Sequence, residues 1–324
     1  MTATAQQEIP QVQTWTERPP SRIPTWLRAL LKNPVSIAGI ILIILFAIMA
    51  LSAPVIVSIL EPNVANEVNP GNAFLIPRDG FQSQPAPPNA THPFGTTEGQ
   101  FDILYGVVWG ARTAFLVGIL ITSITLVIGM IVGTVSAFYG GIVDEIIQRV
   151  VEIFLAFPFL LAAITLAAVV GPKVHNGILT GMIALTAFGW PSYARLVRGD
   201  VLAIKGRDFV LAAESVGVRD VRMILRHILP NAMYSVLVVA SLDIGTYVLS
   251  FAALSFLGVG AELGYADWGQ MLSFARNWIP DLGTYWWILV FPGLALILYV
   301  LGWNLVGDAF RDALDPKMRG LRAG

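Results

Sequence analysis

Six stretches of this chain run for about twenty residues or more with almost no charged side chain, and no other feature restricts its fold as tightly. They are Val35 to Leu60, Thr113 to Val143, Ile153 to Pro172, Val174 to Ala194, His227 to Ala261 (broken only by Asp243) and Leu282 to Gly307. A helix rises ~1.5 Å per residue, so about 20 apolar residues cross the hydrocarbon of a bilayer. In lipid only a helix or a closed barrel satisfies every backbone polar group. Barrel strands alternate polar and apolar side chains over about ten residues, and these windows do not. The expected fold is an all-α integral membrane protein with six transmembrane helices. Composition agrees: 13% of the 324 residues are charged, against about 25% in a soluble domain. A net charge of −1 offers no basic surface for nucleic acid. The absence of cysteine excludes disulfides, thiolate nucleophiles and Cys-ligated metals. The first window is too long for a signal-peptide core and is read as a retained span, 34–60.

Lysine and arginine set the orientation. With six spans both termini share a side. The N-terminal arm (1–33), the turn ending at Arg149, the 195–231 loop and the 311–324 tail hold sixteen of the twenty cations. The other side has Arg78, Arg112, Lys173 and Arg276. Both termini and the 195–231 loop are therefore expected in the cytoplasm of a cell whose cytoplasmic membrane the chain spans. A Pro-, Asn- and Gly-rich loop (61–111) and a shorter one (262–281) are expected outside.

A loop of nearly 40 residues between two spans usually has a task. Asp200 to Val216 is helix-compatible, and Gly217 suits a left-handed helix C-cap. Asp220 is expected to N-cap a second helix. In it Val221, Ile224, Leu225 and Ile228 recur at i, i+3, i+4 and i+7 as one apolar face. Arg219, Arg222 and Arg226 fall on another. Small residues, Ala212 and Ala213, flank the turn with Gly217. Two readings fit the pattern. A second protein's groove could approach the small residues, steered by the arginines; or the helices could lie on anionic lipid.

Leu211-Ala212-Ala213-Glu214-Ser215-Val216-Gly217, then nine residues, then His227-Ile228-Leu229-Pro230, resembles the EAA signature of ATP-binding-cassette (ABC) importer permeases. Leu211 stands where that signature has Glu, and His227 where it has Ile. Asn304-Leu305-Val306-Gly307-Asp308-Ala309-Phe310-Arg311-Asp312-Ala313-Leu314-Asp315-Pro316 resembles the C-terminal signature of oligopeptide and dipeptide permeases. Leu254-Ser255-Phe256-Leu257-Gly258 resembles a run at the outer end of their fifth span. His92-Pro93-Phe94-Gly95-Thr96, Asp102 and Gly110-Ala111-Arg112 resemble the segment before their second, with Gln100-Phe101 where that family has Gly-Arg. The single outer loop before the second span is similar to the C-type subunit of the permease pair.

The resemblance implies an N-terminal helix plus a five-helix permease core (112–310). It implies that the loop docks on a separate ATPase subunit through Ala212, Ala213, Glu214, Gly217, Leu229 and Pro230. It implies as partners a second homologous permease, two ABC ATPases and an extracytoplasmic substrate-binding protein. The cargo it implies is peptides or similar small solutes. The chain has no GxxxxGK[ST] phosphate loop, so no cofactor is expected on it; ATP and magnesium belong to the partner ATPase.

Asp243, with Thr246 and Tyr247, is a candidate for the translocation path, because a mid-span charge costs about 2.5–3.5 kcal/mol. The alternative is a hydrogen-bonded Asp packed against those residues or the partner. Glu152 beside Arg149 reads as an ion pair. Gly129 and Gly133 form a small-xxx-small face. A membrane metalloenzyme is disfavoured, since His92, His175 and His227 are scattered without HExxH. An ion-driven carrier usually shows inverted repeats and several membrane charges, which this chain lacks.

Overall fold

The computed structural model describes residues 33–60, 73–78, 80 and 82–314. The expected arm up to residue 32, residues 61–72 of the long loop, and Asp315 and Pro316 of the tail lie outside them. The helices are α1 (Pro34–Leu60), α2 (Ile103–Tyr139), α3 (Gly141–Leu155), α4 (Phe159–Val174), α5 (Gly177–Lys205), α6 (Asp208–Ser215), α7 (Asp220–Met223), α8 (Leu229–Phe256), α9 (Trp268–Ala275) and α10 (Trp287–Leu314). Between the described residues only isolated β-bridges form, such as Leu75 with Tyr265 and Thr96 with Asp102.

Four helices are long and apolar enough to cross a membrane: Pro34–Leu60, Ile103–Tyr139, the continuous Asp220–Phe256 and Trp287–Asp312. A fifth crossing arises if α3 and α4, bent by 85°, count as one broken span. The window from Ile153 to Pro172 is thus not one helix. Pro158, which has no N–H and disfavours helix in the residue before it, stands at the break. The fourth window falls in α5, which is long enough but is not among the helices that pass on apolarity. Its Gly181, Gly189 and Tyr193 are buried against α2 and α8 rather than facing lipid, so it has less need of apolar side chains. The expected all-helical membrane fold holds, while the expected six spans become four, or five with the bent pair, among the described residues.

The frame is the pairing of α2 with α5, the most extensive helix contact in the molecule. The expected glycine face makes it. A Cβ on Gly129 would stand 2.3 Å from the Tyr193 Cβ, and one on Gly133 would stand 2.4 Å from the Ala194 carbonyl. Backbones this close gain dispersion contacts that lipid cannot supply. At the far end of α10, Gly307 does the same against Leu242 and Ser241 of α8. Around Trp268, Tyr299 and Phe46 the aromatic rings meet edge to face, with centroids 5.4–5.6 Å apart. This cluster ties α1 and α10 to α9.

One cation works inside the bundle. Pro54 has no N–H, so the Ala50 carbonyl one turn earlier in α1 loses its intrahelical donor. The Arg112 Nε of α2 donates to that carbonyl at 2.5 Å, and its Nη2 donates to Leu51 O at 3.3 Å. The same guanidinium lies 4.6 Å from the ring centre of Trp109. Arg112 therefore repairs the proline defect and staples the peripheral helix to the core. Replacing Arg112 by Met should lower unfolding stability in detergent by about 1.5–3 kcal/mol. In a Pro54→Ala background, which restores the N–H, the loss should shrink by about 1 kcal/mol. Additive losses in that cycle would refute the repair.

Candidate functional site

The two ends of the bundle differ. At one end α5 stops at Lys205, and the chain turns at Gly206 and Arg207 into α6. The helix expected over Asp200–Val216 is therefore two helices. The Arg207 N–H turns back to Ile204 O at 3.0 Å, and the Arg207 carbonyl starts α6 by accepting from Val210 and Leu211. At the end of α6 the Gly217 N–H donates to Glu214 O at 2.9 Å and the Val218 N–H to Ala213 O at 3.2 Å. This is the Schellman pattern, and Gly217 sits at φ +77°, where a side chain is strained.

The second helix starts one residue earlier than expected: Arg219 occupies the N-cap position and Asp220 the first turn. It also does not end before Pro230. The Leu229 N–H reaches five residues back to Ile224 O, making a π turn over Ile224–Ile228. Pro230 cannot donate to the helix ladder, and this widened turn accommodates it. The Asn231 amide donates to His227 O at 2.7 Å. The helix then continues unbroken into α8.

The wider turn also divides the expected apolar stripe. Ile228 and Met223 are buried in the bundle, while Val221 and Leu225 are 65% and 59% exposed. Leu211, Ala212, Val216 and Gly217 are exposed at the tip, with Val216 at 80%. Ala213 and Leu229 are half-buried, and Glu214 and Pro230 exposed. Arg207, Arg219 and Arg222 rim the tip. The result is a protruding elbow with a small apolar tip, a cationic edge and no covering segment among the described residues.

Behind the elbow, the Arg198 Nε and Nη2 of α5 grip both Asp144 oxygens of α3 at 2.6 Å. Ser136 Oγ of α2 donates to the same carboxylate and accepts from Gln148 Nε2 at 3.0 Å. This clamp locks three helices where they meet. Sequence reasoning missed it, because its partners are 54 residues apart with no local pattern linking them. The expected Arg149–Glu152 pair is present, at 3.2 Å on an exposed face.

The three path candidates differ in burial. Asp243 is half-buried, and the Tyr193 hydroxyl of α5, which makes no close hydrogen bond, lies within its electrostatic reach. Tyr247 is buried, its hydroxyl against Gly189. Thr246 is exposed, and its hydroxyl donates to Leu242 O of its own helix at 3.3 Å. Of the C-terminal signature, Asn304 is half-buried and Gly307 buried at the α8 contact, while Asp308, Arg311 and Asp312 are exposed. Among the described residues no group of His, Asp or Glu is placed to hold a metal ion.

The opposite end carries a cap built from residues 82–102 and 257–286. The His92 Nδ1 meets Asp102 Oδ2 at 2.6 Å, and Asp102 Oδ1 N-caps α2 by accepting from the Tyr105 N–H at 2.7 Å. The Glu98 carboxylate accepts from Asn277 at 2.8 Å and from the Trp278 indole at 3.0 Å, joining the two loops. Buried Asp267 N-caps α9 through the Gln270 N–H at 2.9 Å. The segment before α2 that the sequence singled out is thus the inner layer of this cap.

The model of the family described as "Binding-protein-dependent transport system inner membrane component" matches residues 125–320. The chain is 37% identical over 292 residues to the dipeptide transport system permease protein DppC of Alkalihalophilus pseudofirmus, covering 90% of this chain and 89% of that protein. It is 38% identical over 297 residues to the oligopeptide transport system permease protein OppC of Bacillus subtilis, covering 91% and 90%. It is 40% identical over 233 residues to the glutathione transport system permease protein GsiD of Escherichia coli, covering 72% and 75%. An inward-facing structure of the MetNI methionine ABC transporter superposes with a TM-score of 0.53 at 20% identity, over 66% of this chain and 98% of the other. At that identity the likeness establishes the shared fold.

The cap titrates. Burial pushes the Asp267 carboxyl up to about 6 from 3.8, against the hydrogen bonds from Gln270, Ser255 and Gly269 that favour its charged form. The folded state thus holds this proton more tightly than the unfolded state. The penalty for the buried charge is fully present above pH about 6, shrinks as pH falls and is gone below 3.8. Unfolding measured from pH 7 to 4 should show a gain on acidification of up to roughly 3 kcal/mol from this group. Asp267→Asn should flatten that part of the profile; an unchanged profile would contradict the assignment.

Proposed function

The chain belongs to the family of binding-protein-dependent transport system inner membrane components, and we propose from that premise that it is the C-type permease half of an ABC importer for peptides. The permease role follows from the family, and relatives 37–38% identical over nine-tenths of this chain are dipeptide and oligopeptide permeases. A peptide cargo is the reading they support. The energy comes from a partner ATPase, and the cargo from a substrate-binding protein.

The observation that carries the mechanism is the elbow. Its exposed tip of Leu211, Ala212, Val216 and Gly217 leaves apolar surface in water, which is favourable only when another surface covers it. In this reading Ala212, Ala213, Glu214, Gly217, Leu229 and Pro230 form the ATPase-coupling element, and the arginine edge steers an acidic rim on the ATPase. The positive-residue bias places the elbow and both termini in the cytoplasm and the cap outside, where the binding protein lands. A second homologous permease and two ATPase subunits complete the assembly. When the ATPases close on ATP and magnesium, the elbows move and the two halves rock between inward and outward openings. Thr246, exposed on α8, faces the path or the partner. The half-burial of Asp243 beside Tyr193 supports a packing role for that carboxylate.

Two measurements test this. A Cβ at Gly217 would meet no atom within 4 Å, and its strain at positive φ costs about 1–2 kcal/mol. Gly217→Leu should leave membrane insertion intact and reduce peptide uptake at least tenfold; uptake at the wild-type rate removes the coupling assignment. The chain has no cysteine, so Val216→Cys offers a single thiol. A membrane-impermeant maleimide should label it only after the cells are opened. Labelling in intact cells reverses the orientation and the importer reading with it.

A further inference from the structure

The elbow hangs from the bundle at a hinge, and one side chain beside that hinge ties the ends of α5 and α2 together. Gly206, between α5 and α6, is exposed, with nothing within 4 Å of where its Cβ would be. Beside it Lys205, the last residue of α5, reaches across to α2. Its ammonium donates to the Phe138 carbonyl at 2.5 Å and lies 5.4 Å from the centre of the Phe138 ring. Phe138 is in the last turn of α2, where carbonyls lack intrahelical donors and carry the negative end of the helix dipole. The ammonium satisfies one such carbonyl and complements that dipole.

The surroundings give this contact its meaning. Helix α2 meets the elbow only at its last turn, where Ala137 and Phe138 join the apolar cluster of Val210 and Met223. A cavity of about 160 Å³ opens beside this contact, with Phe138 and Lys205 on one wall. Val210, Val218 and Met223 of the elbow, with the carboxylates of Glu214 and Asp220, form the other. Helix α2 has 37 residues, about 55 Å of rise, and at its other end Asp102 holds the cap. A displacement of the elbow therefore has two fates. It can be absorbed by rotation at Gly206, or it can move the paired ends of α5 and α2 together.

We propose that Lys205 is the positioning residue of the coupling step: by pinning the end of α5 to the Phe138 carbonyl beside the Gly206 hinge, it makes elbow displacement move α2 and α5 as one lever. This rests on the elbow being the ATPase contact. Lysine suits the role because its compact ammonium has three donors on a flexible stem. The contact can persist while the cavity changes shape, and the elbow carboxylates are placed to meet the same ammonium as they approach.

The test uses the assembled transporter in proteoliposomes and reads peptide uptake per ATP hydrolysed. In Lys205→Met, which keeps the apolar stem and loses the donors, the ratio should fall at least fivefold; Lys205→Arg should recover at least half of it. Hydrogen exchange supplies a readout that a purely structural role would not move. In the wild type, ATP should change protection both in the elbow (208–223) and in the last turn of α2 (134–139). In Lys205→Met the change should remain in the elbow and vanish from α2. A wild-type uptake ratio, or an unaltered ATP response in α2, overturns the inference. If Lys205→Met does not assemble, Phe138→Leu keeps the carbonyl and removes the ring; a drop of about twofold supports the latch, and no drop overturns it. The two readings fail separately. Lost uptake in Gly217→Leu with wild-type coupling in Lys205→Met removes only the latch, whereas wild-type uptake in Gly217→Leu removes the coupling site itself.

Discussion

Hydrocarbon offers a peptide group no hydrogen-bond partner, so every defect in a membrane helix must be repaired from within the protein. The prolines make this visible. Pro54 opens the Ala50 carbonyl, and Arg112 closes it from the next helix. Pro230 is absorbed by a turn in which Leu229 reaches back to Ile224 O. Pro158 is not absorbed, and the chain bends by 85° there. Each solution fixes a different property of the molecule: attachment of the peripheral helix, continuity of α7 with α8, and the break between α3 and α4.

A second consequence concerns cohesion. Lipid is as apolar as leucine, so burial of apolar surface contributes little to holding helices together. Close approach and polar contacts replace it. Gly129 and Gly133 bring α2 against α5, and Gly307 brings α10 against α8. The Asp144–Arg198 clamp then ties α3 to the α2–α5 pair. The weak point is the open hinge at Gly206, and Lys205 stands beside it.

The elbow and the cap differ in chemistry as well as place. The elbow leaves Val216 and Val221 in the open beside arginines, a surface suited to a partner that covers it. The cap buries some of its ionisable groups, while Glu262, Arg276 and Asp281 stay exposed. His92 and Asp102 are both buried, Glu98 is held by Asn277 and Trp278, and Asp267 is buried above the bundle. One end leaves apolar side chains exposed, while the other holds buried, hydrogen-bonded carboxylates beneath its loops.

Membrane residence, the helical class, the glycine face of α2 and the turn at Gly217 were legible in the sequence, because each follows from local chemistry. Hydropathy over twenty residues, a small-xxx-small spacing and a helix C-cap need no knowledge of what lies across the fold. The N-cap at Arg219 and the helix break at Gly206 were misplaced by one residue or one element, since propensity alone does not say which of several adequate positions the packing selects. Tertiary structure alone decided the rest. That Arg112 serves Ala50, Arg198 serves Asp144 and Lys205 serves Phe138 links residues 54 to 67 positions apart. A charge near lipid takes whichever partner folding brings within reach, and no periodicity along the chain records that choice.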